Sequence, residues 1–342
     1  MDRTDIKMIK LIPSTSLRRL IYLLCLVSAV LALAFAVLCI LLYSLRWDRF
    51  AAFTFIPAWI WLSIGLTSAI LIGFFHRAVA LAVLSLWAVF TFLYVEEASS
   101  LTRAAVDNFA TPAVDARVRK LTVVSLNCLG GQIASAKETA VYKPDIVLLQ
   151  ETPSVLVDLQ KLADEIFANQ GHVLLGADTT ILSRFPIEKI PVNNSTNWVH
   201  ARIKLPSGTY ARVISLRLKP PVIDTDLLSA ECWRVHFEDR VQRRQSIQAI
   251  RDQLEEVPLD EPLIVGGDFN VPAHDGCLSP LRDRMIDAFS IAGRGWGNTV
   301  LNDLPLFRID QIWTSKGFGC DSVLAFRSKN SDHRLVVCKL QY

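Results

Sequence analysis

The sequence has no C-x-x-C pair, no block of basic residues, no internal repeat and no low-complexity tract. The missing C-x-x-C speaks against a zinc knuckle or a redox dithiol. Seven cysteines are scattered at positions 25, 39, 128, 232, 277, 320 and 338. Two sit in apolar runs, where a small buried side chain suffices; a disulfide among the other five stays open. A formal net charge of only +3 does not mark a nucleic-acid binder by itself. What the chain has in excess is apolar residues. They make up 51% of its 342 positions, and the mean hydropathy is +0.33. That is too apolar for an ordinary soluble protein. Most of the excess lies before residue 96, and the ~220 residues beyond it suffice for a full hydrophobic core.

Leu20 to Tyr43 carries no charge. At ~1.5 Å per helical residue it exceeds the ~30 Å of bilayer hydrocarbon. A second span is expected over Phe50 to Phe75, with Pro57 and Gly65 tolerable inside a bundle. A third, shorter one covers Ala78 to Val95. Only His76 and Arg77 separate the last two, which predicts a tight helical hairpin. A soluble bundle is disfavoured because such runs leave no polar face. A cleaved signal peptide is a weaker alternative for the first span, whose apolar core exceeds the usual ~7–15 residues. The N-terminal tail carries Arg3, Lys7, Lys10, Arg18 and Arg19, so the positive-inside bias places it in the cytoplasm. Three crossings then put the rest outside, although Arg46 and Arg49 in the first loop pull the other way. The expected organisation is residues 1–95 as tail and spans, 96–119 as a linker or short juxtamembrane helix, and 120–342 as a soluble domain.

In that domain, apolar runs repeatedly end in polar residues. Leu121 to Leu126 ends in Asn127. Asp145 to Leu149 ends in Gln150-Glu151, and Thr180 to Leu182 in Ser183-Arg184. Leu263 to Val265 ends in Gly266-Gly267-Asp268-Phe269-Asn270. Phe307 to Ile309 leads into Asp310, and Ser331-Asp332-His333 precedes a last strand from Leu335 to Leu340. Trp198–Leu205 and Tyr210–Leu218 flank Pro206-Ser207-Gly208 as a hairpin. Val155 to Phe167 and Val241 to Leu254 space their apolar residues as helices do. The pattern predicts a layered α/β domain. Singly, each polar terminus reads as a turn former, a helix cap or a loop histidine. As a set, they place carboxylates, carboxamides and a histidine at strand ends, where chemistry gathers in layered folds.

The segments SLNCLGG (125–131), PDIVLLQET (144–152), ILSRFPI (181–187), GGDFNVP (266–272), RIDQIW (308–313) and SDHRLVV (331–337) resemble, in order, those of the endonuclease/exonuclease/phosphatase family. The spans before the domain resemble, more loosely, bacterial membrane-anchored members of that family. The resemblance implies a four-layer α/β sandwich, two packed mixed β-sheets flanked by helices, behind an N-terminal transmembrane segment. It implies hydrolysis of a phosphodiester with Mg²⁺ or Mn²⁺, a hard cation suited to one or two carboxylates. Glu151 is then the principal metal ligand, with Asn127 assisting and Asp332 beside the metal. Asp268 activates the attacking water and Asn270 donates to a phosphate oxygen. His333 moves a proton or binds phosphate, oriented by Asp310. Gly266 and Gly267 let the backbone approach the phosphate. Ser183 is a substrate-side or structural hydrogen bonder, Arg308 a salt bridge, and Trp296 to Thr299 a candidate substrate-flanking loop.

One position departs from the pattern. Where many members carry a histidine that protonates the leaving group, Ser215-Leu216-Arg217-Leu218 puts Arg217. A guanidinium binds negative charge but does not give up a proton near neutrality. His200 and His236 do not replace the missing acid; His274 is a candidate. Nucleic acid is the slightly favoured substrate. A phospholipid or sphingolipid headgroup is the alternative, and a non-catalytic tethered binding module is the reading from another class. The expected partners are the phosphodiester substrate and the bilayer, with no protein partner evident. The expected location is the plasma (inner) membrane, with the catalytic domain extracytoplasmic.

Overall fold

A computed structural model describes residues 15–107, 119–153, 155–192 and 197–342. Most of the basic tail and positions 108–118 of the expected linker lie outside the described residues. The apolar N-terminus folds as helices α1 (Thr15–Leu45), α2 (Ala51–Phe55), α3 (Ala58–Gly73) and α4 (Arg77–Tyr94), followed by α5 (Glu96–Asp107). Among the described residues, Tyr22–Leu45 and Arg77–Tyr94 are long and apolar enough to cross a membrane. The expected second span is broken. Asp48–Phe55 and Ala58–Gly73 meet at a bend of 70°. Pro57 causes the break, because it lacks an N–H and drives Ile56 to an extended conformation, with ψ at 130°. Alone, α3 covers only about 24 Å. Gly65 within it admits the Trp87 ring of α4, since a Cβ there would lie 1.9 Å from Trp87 Cε2.

The rest builds two six-stranded sheets. In chain order the elements are β1 (Lys120–Asn127), α6 (Ile133–Lys137), β2 (Ile146–Gln150), α7 (Leu156–Ile166), β3 (His172–Leu175), β4 (Thr179–Ser183), β5 (Ile187–Ile190), β6 (Trp198–Lys204), β7 (Tyr210–Arg217), α8 (Ala230–Glu255), β8 (Leu263–Asp268), β9 (Met285–Asp287), α9 (Ala288–Ala292), β10 (Asp310–Ser315), β11 (Gly319–Phe326) and β12 (Leu335–Gln341). One sheet runs β11-β12-β1-β2-β4-β3, the other β5-β6-β7-β8-β10-β9. Each is mixed: β1–β2 and β7–β8 are parallel, and the other pairs antiparallel.

Strand alternation sorts the core into layers. Leu121 and Val123 of β1 face Ile203, Val213 and Ile264 across the gap between the sheets. Val124 and Leu126 face outward onto Leu159 and Leu162 of α7. On the far side, Ile214, Leu216 and Val265 pack on Ile247, Ile250 and Leu254 of α8. This is the four-layer α/β sandwich expected from the sequence.

The N-terminal helices dock on this sandwich. All five residues of α2 are buried. Its Thr54 Oγ accepts from Arg240 of α8 at 2.6 Å, and the same guanidinium nitrogen reaches Asp275 at 2.7 Å. Arg244 grips Asp48 through both outer nitrogens, at 2.6 and 2.5 Å. Residues 96–107 form a docked helix. Arg103 Nε donates to Gly293 O at 2.8 Å, and Ser100 exchanges hydrogen bonds with Gly295. Seven cysteines are unpaired, so no disulfide joins the five outside the apolar runs.

Candidate active site

Parallel pairing brings four strand ends to one edge. Asn127 ends β1 beside Gln150 of β2, and Arg217 ends β7 beside Asp268 of β8. Antiparallel β10 begins there, with Asp310 directly opposite Asp268. His333 lies just before β12, in a turn pinned by Ser331, whose hydroxyl donates to Asn127 O at 2.7 Å and accepts the His333 N–H at 3.0 Å.

The side chains interlock. Asn127 Nδ2 donates to Glu151 Oε1 at 3.1 Å and to Asp268 Oδ2 at 3.2 Å. Asn270 donates to Asp268 from both its backbone N–H and its amide, at 3.0 and 3.1 Å. Asp310 Oδ2 meets His333 Nδ1 at 2.8 Å. One ligand atom each from Asp268, Asp310 and His333 lie within 4.8 Å of one another. Asp310 Oδ1 is buried with no hydrogen-bond partner. Glu151 and Asn270 both adopt left-handed backbone, with φ of 47° and 52°. Such strain in non-glycine residues concentrates at functional sites.

Electrostatics follow from this packing. Burial and the facing Asp310 charge push Asp268 up to about 7, against the pull of His333 and the hydrogen bonds from Asn270 and Asn127. Burial alone would lower His333, but its contact with Asp310 and the nearby Asp268 raise it to about 10. Burial likewise disfavours ionised Glu151. Hydrogen bonds from Asn127 and the Gly130 N–H, with the Arg217 charge, nonetheless hold it below the ordinary carboxylate value. The site therefore pairs a carboxylate poised near neutrality with an imidazolium that keeps its proton.

The endonuclease/exonuclease/phosphatase family model matches residues 124–333, more than half of the chain. The chain belongs to this family. It is a hydrolase, and members of the family cleave phosphate ester bonds, generally with divalent metals. Solved structures with the same fold include a family member from Bacteroides vulgatus, 15% identical, with a TM-score of 0.50 over 65% of this chain and 98% of that one. A mannosyl-6-phosphatase from Bacteroides thetaiotaomicron is 18% identical, with a TM-score of 0.49 over 65% and 100%. D. rerio TDP2, complexed with a single-strand DNA product, is 19% identical, with a TM-score of 0.48 over 66% and 99%. No curated protein matches the chain significantly.

Within the family site, the other candidate residues take these places. Ser183 is remote: it pairs with Ile146 at the start of β2, whereas Glu151 follows the end of β2. Antiparallel β4 runs away from the site, so its beginning is what lies there. Its hydroxyl accepts the Phe185 N–H at 2.9 Å, a turn-forming bond. The Asp332 side chain is exposed, and neither it nor Glu151 joins the Asp268–Asp310–His333 set. The Asn270 amide donates to Leu218 O at 2.7 Å and to Asp268, so both of its N–H groups are engaged inside the site. The paired glycines serve sheet packing: Gly267 has φ of 138° with its Cβ position 2.0 Å from Leu216 O, and a Cβ on Gly266 would meet Leu148 at 2.6 Å. Trp296 bonds Pro305 O and lies edge-on to Trp59 in the helical region. His274 packs on Tyr43 of α1, ring centroids 5.4 Å apart, away from the catalytic cluster.

Three residues take positioning roles that the sequence reading did not assign. Asp178, just before β4, holds Arg217 Nη1 at 2.8 Å. Ser331 ties His333 to β1. Thr299 Oγ accepts the Ile309 and Asp310 N–H groups at 3.3 and 3.2 Å, fixing Asp310. Their roles depend on which strand ends meet, which the motifs alone do not tell. Glu151 presents carboxylate oxygens and Asp310 keeps an unpartnered one, while the Asn127 carbonyl oxygen accepts the Leu129 N–H at 3.0 Å. This donor set fits a hard divalent cation.

Proposed function

We propose that this chain is a membrane-anchored, divalent-metal-dependent phosphodiesterase. The observation that carries the reading is the convergence of Asp268, Asp310 and His333 beside the Asn127–Glu151 pair. Asp268, aligned by Asn127 and Asn270, takes the proton of the attacking water. His333, held through Nδ1 by Asp310, donates from Nε2 to the leaving oxygen, the task that Arg217 cannot perform. Arg217 supplies fixed positive charge for the phosphate. Glu151 and Asn127 would hold Mg²⁺ or Mn²⁺, which supplies neutralisation of the phosphate charge and of the leaving alkoxide.

The apolar helices anchor the enzyme, and the excess of Lys and Arg before the first of them supports a cytoplasmic N-terminus and an extracytoplasmic catalytic domain at the plasma membrane. Nucleic acid is the substrate class favoured by the motifs. A lipid headgroup is favoured by position. The loop after Asn270 reaches Tyr43 through His274, and Phe307, just before Asp310, packs on Phe55 with ring centroids 5.2 Å apart. The loops that frame the site thus rest on the span ends. Leu301 and Leu304 are exposed nearby, and Leu301 lines a cavity of about 1030 Å³ beside Asp332.

The test is the full chain in detergent with Mg²⁺ or Mn²⁺, assayed on a plasmid, an oligonucleotide, sphingomyelin and phosphatidylcholine vesicles, and inositol phosphates. Asp268→Ala is the control. Activity that Asp268→Ala abolishes supports the reading, and activity that survives in it overturns the site assignment. Wild type as inactive as the mutant on every substrate removes the enzyme reading. Cleavage that weakens steeply with salt points to nucleic acid.

A further inference from the structure

Arg217 is the one site residue whose surroundings the phosphodiesterase reading does not use up. Its Nη2 sits 2.6 Å from Glu151 Oε1, the same oxygen that accepts from Asn127. The other oxygen, Oε2, takes the Gly130 N–H at 2.7 Å. Three protein donors therefore converge on Glu151. The opposite arm of the guanidinium, Nη1, is held by Asp178 at 2.8 Å. Its Nε is buried with no hydrogen-bond partner. A buried orphan donor is costly, so this arrangement leaves Arg217 incompletely satisfied. The local charge is also unbalanced. Among the described residues, the cations bonded to Glu151, Asp178 and Asp310 are Arg217 and His333, with Asp268 a further carboxylate beside them, a shortfall that a divalent ion makes good.

We propose that Arg217 is a tethered stand-in cation at Glu151. It neutralises the carboxylate until a divalent ion binds, then yields that oxygen while Asp178 keeps the guanidinium in the site for the substrate phosphate. Asp178 is accordingly a positioning residue. The proposal rests on Glu151 as the metal ligand. Its physical content is competition: a guanidinium and a divalent ion seek the same oxygen and repel each other. Asp178 counters both effects, because it draws the guanidinium away from Glu151.

The experiment is calorimetric titration of the full chain in detergent with Mn²⁺, without substrate. Wild type is compared with Arg217→Gln, Arg217→Ala, Asp178→Asn, Asp178→Glu and Glu151→Gln, each first checked for a wild-type-like melting transition. Both Arg217 variants should bind Mn²⁺ about tenfold or more tightly than wild type, since a like charge has been removed from beside the ion. Either suffices if the other does not fold. Asp178→Asn should bind several-fold more weakly, and Asp178→Glu should restore wild-type affinity. A network that served only structure would weaken binding in both directions. Equal or weaker binding in the Arg217 variants, or shifts of the same sign at 217 and 178, overturns the proposal. Glu151→Gln separates the two levels of the argument. If it binds Mn²⁺ like wild type, the metal assignment itself fails. If it abolishes binding while Arg217→Gln binds no tighter, only the stand-in role fails.

Discussion

Two buried clusters of charge lie two residues apart on one segment. Arg308 belongs to the first, Asp310 to the second. Arg308 is held by Glu96 of α5 through Nε and Nη2, at 2.7 and 2.6 Å. Asp287 engages Nη1 and Nη2, at 3.2 and 2.5 Å. Every guanidinium nitrogen has a carboxylate partner, so this cluster is closed. The second is open: two carboxylates face each other across paired strands, one oxygen has no partner, and a single histidine supplies positive charge. The difference separates holding from reacting. A closed ion cluster fixes a junction, here between α5 and the sandwich. An open one keeps proton affinities displaced and leaves donors and acceptors for a substrate.

Substitutions should act on different observables in the two clusters. The largest effect is expected for Asp310→Asn. It keeps the shape but removes the charge that orients and protonates His333, so kcat should fall about 10²–10⁴-fold. The buried His333 also loses its counter-charge, so the unfolding free energy should fall as well, most at low pH. Loss of less than about tenfold in kcat would take the Asp310–His333 pair out of the chemistry. In the closed cluster, Arg308→Met leaves buried Asp287 and half-buried Glu96 without a counter-charge and should cost about 3–5 kcal/mol. The readout is the melting temperature in detergent, and an unchanged value would remove the junction role.

A pH series probes the open cluster further. The folded-state value of His333, about 10, lies above its unfolded value of about 6.5. Its stabilising contribution is therefore complete below pH 6.5 and fades as pH rises through 10. Wild-type stability should decline across that window, and Asp310→Asn should flatten the decline; parallel curves for the two proteins would contradict the assignment. The smallest effect is expected at Ser183. Ser183→Ala should cost about 0.5–1.5 kcal/mol through its lost turn bond while leaving kcat unchanged, and a clear fall in kcat would return Ser183 to the site.

The layered fold was readable because β1, β2 and β8 are apolar runs with polar ends, and because Val155–Phe167 and Val241–Leu254 keep a helical period. The residues that meet at the site, Asn127, Glu151, Asp268, Asp310 and His333, were readable from their motifs. Direction was not. Nothing in Thr180–Ile–Leu–Ser183 says that β4 runs antiparallel to β2, so the sequence alone does not tell that Asp178, rather than Ser183, lies at the site's edge. The bend at Pro57 was also hidden, because composition reports how apolar a stretch is and not whether its helix continues. Glu96 and Glu97 fall in the stretch that reads as a linker or short juxtamembrane helix. Their partners, Arg308 and Asn298, lie about two hundred positions downstream, beyond any local pattern.

That separation has a consequence for how the molecule is made. Glu96 and Arg308 are 212 positions apart, and Ser100 and Gly295 are 195 apart. The first strand of the sandwich pairs with the last, Lys120 opposite Gln341. Contacts this distant in sequence form late, since the intervening chain must first exist and its loop entropy be overcome. The apolar helices are synthesised first, yet α5 has no seat until the final quarter of the chain has emerged. Until then Glu96 lacks Arg308, and β1 lacks β12 along one edge. Folding of the sandwich is thus completed only once its last strand has emerged, with the first and last strands drawn in together.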